Sequence, residues 1–210
     1  MRILLTAALA LSAATAALAG PVCFASGWKE QRLSLFSSND YGFGNQLTMR
    51  SDGAVSIAWT ALPQAEWGAS RASWDWTVSQ TVPATDLSRK GGGDRNRSLY
   101  FIFVPQDVAP SFAGKGIRAL RGRKDVQVIQ YAWGGNHARG TVINSPYGNG
   151  VTIPLRQAGT GRASENVDLN ADFARAFGGT KGALIGLAVS GDSDDTKSVI
   201  EAAIGGLVLR

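Results

Sequence analysis

Ser88-Arg89-Lys90-Gly91-Gly92-Gly93-Asp94-Arg95-Asn96-Arg97-Ser98-Leu99-Tyr100-Phe101-Ile102-Phe103-Val104-Pro105 is the stretch that decides the fold. A charged, glycine-dense loop runs into a strand that is apolar on both alternating faces. Leu99, Phe101 and Phe103 share one face, and Tyr100, Ile102 and Val104 share the other. A strand wetted on one side alternates, whereas one covered on both sides reads as a continuous apolar run. The loop is therefore expected at the rim of the core that this strand crosses. Pro105 lacks the ladder donor that the next position would need, and it ends the strand.

Working outward, residues 126–133 form a second persuasive strand, followed by a Gly134-Gly135-Asn136-His137 turn. Upstream, Trp74, Trp76 and Val78 share one face of a strand whose other face carries Asp75 and Thr77. Leu33 and Leu35 alternate with polar neighbours, and Ser38-Asn39-Asp40 is a turn cluster. Ser51-Asp52-Gly53 separates two further strands, the second with Val55, Ile57 and Trp59 on one face, and an Asp-Gly pair there predicts a hairpin. Short strands over 141–143 and 151–155 flank a Ser145-Pro146-Tyr147-Gly148-Asn149-Gly150 turn, and strands over 184–189 and 200–209 follow. Residues 112–124 are basic and punctuated by Gly114, Gly116 and Gly122, which argues for a surface excursion over a stable helix.

One helix is expected. Leu169, Phe173, Ala176 and Phe177 fall on one helical face, Asp168 or Asn170 can cap the start, and Gly178-Gly179 stops it. The count is about eight to ten strands and one short helix, and strand does not alternate with helix. The expectation is an all-β fold, an antiparallel β-sandwich of jelly-roll type.

The ends and the composition set the compartment. Arg2, an apolar run and Ala17-Leu18-Ala19 before Gly20 have the form of a secretory signal over residues 1–19. Residues 20–210 would then be a single exported domain, periplasmic or secreted, with no second apolar segment long enough to span a bilayer. Cys23 is the only cysteine, so no intrachain disulfide can form. The net charge is +5 and the pI about 9.7, with basic residues clustered at 89–97 and 115–124. That balance favours acidic polymers or an anionic envelope surface. Nucleic acid is not expected as a partner, because no recognition helix or zinc-finger pattern is present.

Several constellations bear on chemistry. Asp192-Ser193-Asp194-Asp195-Thr196 is the best metal candidate, since hard cations take several carboxylate oxygens from a tight loop. Asp192, Asp194 and Asp195 are the expected ligands, with calcium the possible ion. The spacing is not that of an EF-hand, and Asp and Ser are also ordinary turn formers. His137 is the only histidine and no G-x-S-x-G elbow accompanies it, which leaves a hydrolytic triad without support. One histidine and one cysteine are too few for a usual zinc site. The Gly91-Gly92-Gly93-Asp94-Arg95 loop lacks the P-loop pattern and precedes a strand, not a helix.

Asp86, Arg89, Lys90, Asp94 and Arg97 could form a carboxylate–cation cluster, either pinning the loop or binding sugar hydroxyls and uronate carboxylates. Glycosidase chemistry would need a second carboxylate across the cleft, for which Asp75, Asp168 and Asp172 are available. Trp74 and Trp76 read first as core packing and second as a platform for a sugar ring. The ligand-binding candidates are therefore Trp74, Trp76, Asp86, Lys90, Asp94, Arg97, Tyr131 and Trp133, and no catalytic residue is assigned.

Trp74-Asp75-Trp76, the loop from Asp86 to Asp94, Leu99 to Phe103, Tyr131-Ala132-Trp133, the segment from Asp168 to Gly178, and Gly191 to Thr196 are together a recognisable set. Over roughly residues 28–209 the chain resembles DUF3047, a family of uncharacterised exported bacterial proteins. It departs from that pattern at Arg95, where the family prefers a second acidic residue, and at Asn166-Val167-Asp168, where it prefers an Arg-Asp pair. The family's strand order is similar to carbohydrate-binding sandwiches of the galactose-binding-like class. This resemblance implies a non-catalytic protein that binds a polysaccharide or envelope glycan. A polysaccharide hydrolase or lyase using Asp residues is the first alternative, and a protein-binding or structural envelope module the second.

Overall fold

Local sequence sets thirteen strands and one α-helix in a computed structural model describing residues 20–33, 37–120 and 122–210. The export signal expected over 1–19, and Leu35, lie outside the described residues. In chain order the strands are β1 (Gly20–Pro21), β2 (Lys29–Arg32), β3 (Asp40–Phe43), β4 (Gln46–Asp52), β5 (Val55–Ala61), β6 (Arg71–Gln80) and β7 (Arg95–Val104). There follow β8 (Gln127–Trp133), β9 (Ile143–Asn144), β10 (Gly150–Arg156), β11 (Gly161–Asp168), helix α1 (Leu169–Phe177), β12 (Ala183–Asp192) and β13 (Val199–Leu209). Short 3-10 turns lie at Gln64–Glu66, Ala109–Phe112 and Ile117–Leu120, so among its described residues the basic excursion carries single turns and no α-helix.

Two sheets face each other. One has the order β11-β6-β13-β4-β3 with β1 against β13, and the other has the order β2-β5-β12-β7-β8-β10-β9. This is the expected all-β sandwich, antiparallel except where β10 runs parallel to β8. Strand β7 lies third from neither edge but centrally, between β12 and β8. Eight of its ten residues are buried, and only Arg95 and Tyr100 are half-buried.

The turn at Asp52-Gly53 is present, but it does not close a hairpin. Strand β4 pairs with β3 and β13, while β5 pairs with β2 and β12 in the opposite sheet. The chain arches from one layer to the other. Gly53 sits at φ 55° and its N–H donates to Ser198 O at 3.1 Å, not back across a ladder. The passage from β12 to β13 is a second arch alongside the first. The buried Ser51 and Ser193 hydroxyls meet at 2.8 Å, and Ser193 N donates to Ala54 O at 3.1 Å. An Asp-Gly signal specifies the reversal; which sheet receives the next strand depends on partners far along the chain.

The inner faces make one core. Trp74 meets Trp76 edge-on at 5.5 Å, Phe101 meets Tyr131 at 5.5 Å, and Trp76 meets Trp133 at 5.7 Å. Edge-to-face packing of this kind adds about 0.5–1.5 kcal/mol per pair beyond area burial. On the outer face of the second sheet, the Trp59 ring covers Gly186, where any Cβ would run into it.

Helix α1 carries the chain from β11 in one sheet to β12 in the other and seals one flank. Asp168 Oδ1 accepts from Ala171 N at 3.0 Å, as an N-cap does, and the Gly178 N–H closes the last turn on Ala174 O. Leu169 and Phe173 face inward, with Phe173 against Phe103 at 5.3 Å. Strand β11 has no counterpart in the sequence reading. Gly161-Arg162-Ala163-Ser164-Glu165-Asn166-Val167-Asp168 alternates, but its two buried positions are Glu165 and Val167, so apolar periodicity is missing. Among the described residues no helix is long and apolar enough to cross a membrane.

Candidate functional site

An open groove of about 1030 Å³ runs across the outer face of the seven-stranded sheet. Its floor is Ile57 of β5, Ala188 of β12, Tyr100 and Ile102 of β7, and Val128 and Gln130 of β8. One wall is the basic excursion, through Ile117, Arg118, Leu120 and Arg123; the far rim is the 145–150 turn, through Tyr147 and Asn149. The pleat explains the floor. Tyr100, Ile102, Val128 and Gln130 are the outward residues of strands whose inward residues, Leu99, Phe101, Ile129 and Tyr131, are fully buried in the core.

Three large apolar side chains stand exposed among the described residues, and two of them, Leu33 and Tyr147, line this groove. Tyr147 is 65% exposed, yet it is held: Gly91 N donates to its hydroxyl at 2.9 Å, and its own N–H donates to Ser145 Oγ at 3.2 Å. A ring fixed at its tip and open on its face can stack against a flat apolar surface, including that of a sugar.

A polar network underlies the groove floor. Arg95 donates through Nε to Ser98 Oγ at 2.8 Å, through NH2 to Tyr100 OH at 2.6 Å, and through NH1 to Asp192 Oδ2 at 3.1 Å and to Gly93 O. Tyr100 OH and Ser190 Oγ share a bond of 2.9 Å, and Gln130 Nε2 donates to Ser98 Oγ at 2.7 Å. Arg95 is thus saturated and its charge is met by Asp192. Burial pushes the Asp192 carboxyl up to about 7; Arg95 opposes the rise, while the neighbouring Asp194 and Asp94 add to it. Asp192 lies close to Tyr147: both come within 4 Å of where a Cβ on Gly93 would stand.

Trp74 and Trp76 take the core place that is their first reading, and none of the four aromatics expected at a ligand site forms a platform. Trp74, Trp76, Tyr131 and Trp133 are 2%, 1%, 0% and 4% exposed and belong to the core between the sheets. Alternation placed Trp74 and Trp76 correctly on one face, but that face is the dry one. Tyr131 instead uses its hydroxyl structurally, donating to Asp172 Oδ2 at 2.6 Å, and Arg175 NH2 donates to Asp172 Oδ1 at 2.7 Å.

The expected charge cluster is dispersed. Asp86 pairs with Arg89 at 2.9 Å and with His137 Nε2 at 3.3 Å, and accepts from Ser88 N and Oγ. Hydrogen bonds from Ser88 hold its carboxyl below the usual range, helped by Arg89 and His137. His137 therefore joins two loops. Lys90 is exposed and makes no ion pair among the described residues. Asp94 is fully buried and accepts from Asp195 N at 3.3 Å, Thr196 N at 2.7 Å and Thr196 Oγ1. Arg97 is also fully buried, spanning the sandwich from β7 to donate to Leu47 O and Ala202 O in the opposite sheet.

The acidic turn keeps part of its expected role. Carboxylate oxygens of Asp94, Asp194 and Asp195 lie within 4.8 Å of one another and are the residues that could hold a hard cation. Asp192 turns away to Arg95, and Asp94 takes its place in the set. Burial and the neighbouring Asp194 and Asp94 raise the Asp195 carboxyl, a field that a cation would relieve.

Sequence reasoning missed two groups. Tyr147 sits in a turn, where periodicity has no say. Glu165 of β11 has a fully buried side chain, on which Arg139 NH2 closes at 2.7 Å and Arg156 Nε at 2.9 Å, with Trp76 Nε1 donating at 3.3 Å. Its partners lie on separate elements, so no local motif announces it.

Comparison with solved structures gives a match to the xyloglucanase domain of NopAA, a type three effector from Sinorhizobium fredii in complex with cellobiose, at 8% identity and TM-score 0.47, covering 87% of this chain and 92% of that one. No curated protein matches the chain. The family model described as "Protein of unknown function (DUF3047)" matches residues 26–208. With that match spanning nearly all of the sandwich, the chain belongs to the DUF3047 family.

Proposed function

We propose that this protein is an exported, non-catalytic glycan-binding β-sandwich that seats a saccharide chain in the groove on its seven-stranded sheet. The observation that carries this reading is Tyr147, an exposed ring held by its hydroxyl at the rim of a groove with both apolar and amide groups on its floor. Small-molecule and saccharide sites combine such surfaces with a few placed polar groups. Export rests on the form of residues 1–19.

Isothermal titration calorimetry against a panel of neutral and acidic polysaccharides tests the proposal. Saturable binding to one polymer, weakened about tenfold or more by Tyr147→Ala, is the expected result. Affinity unchanged in that variant would overturn the assignment of the groove. Asp192, with its raised carboxyl beside Tyr147, supports the hydrolase or lyase as second reading. New reducing ends or unsaturated products in the same mixtures, lost in Asp192→Asn, would establish it.

A further inference from the structure

The groove's charge is one-sided. Among the described residues that line it are Arg32, Arg118 and Arg123, and there is no Asp or Glu. The three arginines are not equally engaged. Arg123 forks onto Asp125, with Nε to Oδ1 at 2.8 Å, and lies over the Phe112 ring at 4.8 Å. Among the described residues Arg118 gives only its Nε, to the neutral Gln31 Oε1 at 3.0 Å. Arg32 makes no ion pair among the described residues. Two guanidinium groups at the β2 end therefore have no counter-charge among the described residues. Arg95, beneath the floor, is already engaged by Asp192 at 3.1 Å.

The geometry sets the ligand's length as well. From β2 to β10 the groove crosses six neighbouring strands. At ~4.8 Å between neighbours this is roughly 24 Å. Tyr147 leaves the turn before β10, but its ring reaches over the start of β7, near Gly93 and Asp192, while Arg32 and Arg118 stand at the β2 end, two strands beyond β12. A ligand that stacks on the first and meets the second is an extended chain, and the group that suits a planar guanidinium fork is a carboxylate.

We propose that the groove recognises an acidic polysaccharide, with Arg32 and Arg118 pairing to uronate carboxylates on sugar units beyond the one stacked on Tyr147. This inference rests on the glycan-binding reading above and narrows it to a substrate class.

The test compares polygalacturonate with the same polymer after reduction of its carboxyl groups, by calorimetry at low and high salt. Three variants are titrated beside the unmodified protein: the pair Arg32→Gln with Arg118→Gln, Tyr147→Ala, and Arg162→Gln. Arg162 is exposed on β11, away from the groove, and controls for the general pull of a basic protein on any polyanion. The expected result is at least tenfold tighter binding of polygalacturonate than of the reduced polymer. The double arginine variant loses that advantage without changing affinity for the reduced polymer, Arg162→Gln changes neither, and monomeric galacturonate binds far more weakly than the polymer.

Equal binding of the two polymers, with Tyr147→Ala still harmful, would overturn the acidic assignment and leave the glycan reading standing. A loss in Arg162→Gln as large as in the double variant would also overturn it, as the mark of unspecific charge attraction. No binding of either polymer would remove both readings together.

Discussion

Arg97 shows what a buried charge costs this fold. Its side chain is fully enclosed between the sheets, Nε and NH1 have no partner among the described residues, and burial lowers its pKa to about 10. Its NH2 reaches two carbonyls of the opposite sheet, but no carboxylate balances it among the described residues. Replacing buried charge by apolar volume is often neutral or stabilising, while truncation leaves a cavity. Arg97→Met is expected to match or exceed the unmodified protein in urea midpoint, and Arg97→Ala to fall about 2 kcal/mol or more below Arg97→Met. A Met variant as weak as the Ala variant would show that the two carbonyl bonds outweigh the desolvation. At this scale the sequence favours the core for Trp74 and Trp76 but leaves a sugar platform open, for a specific reason. Alternation says which residues share a face, not which face is wet, so Trp74 and Trp76 were grouped correctly and their solvent exposure could not be read.

Strand β11 makes the same point one level up. Its inward position is a carboxylate, so it carries no apolar period, and its existence depends on Arg139 and Arg156 arriving from elsewhere. The asymmetry of burial allows a sharp expectation. Both arginines are about half exposed, at 53% and 45%, while the Glu165 side chain is sealed at 0%. Removing both arginines strands a charge in the core and is expected to cost about 3–5 kcal/mol in denaturant unfolding. Glu165→Gln leaves two arginines that water can reach and is expected to cost about 1–2 kcal/mol. The reverse order would mean that the carboxylate is hydrated in solution. Helix α1, in contrast, was legible to its ends, because its cap, its apolar face and its glycine stop are all local. Asp168→Ala is expected to cost about 1 kcal/mol by the same measurement, through the lost bond to Ala171 N. The Asp52-Gly53 arch lies between these cases: the turn is local, but the choice of sheet is made by β13 and β12, over a hundred residues away.

For the molecule as a whole, the end of the sandwich that carries the acidic turn is continuous with the groove. Asp94 holds the 195–196 backbone, Arg95 joins Asp192 to Tyr100, and Gly91 holds the hydroxyl of Tyr147. A cation drawn to Asp94, Asp194 and Asp195 would therefore tighten the same loops that present the Tyr147 ring. Linkage fixes the size of the effect: a ligand at about a hundred times its Kd adds ~2.7 kcal/mol to the folded state. Millimolar calcium is expected to raise the thermal midpoint relative to EDTA, and to strengthen polysaccharide binding without entering the groove. Asp194→Asn combined with Asp195→Asn should abolish both responses while preserving the calcium-free affinity. A midpoint indifferent to calcium would reduce the three carboxylates to a turn held by Asp94. A midpoint that rises while affinity stays fixed would uncouple the turn from the groove, and Tyr147 would then owe its position to its bonds with Gly91 and Ser145.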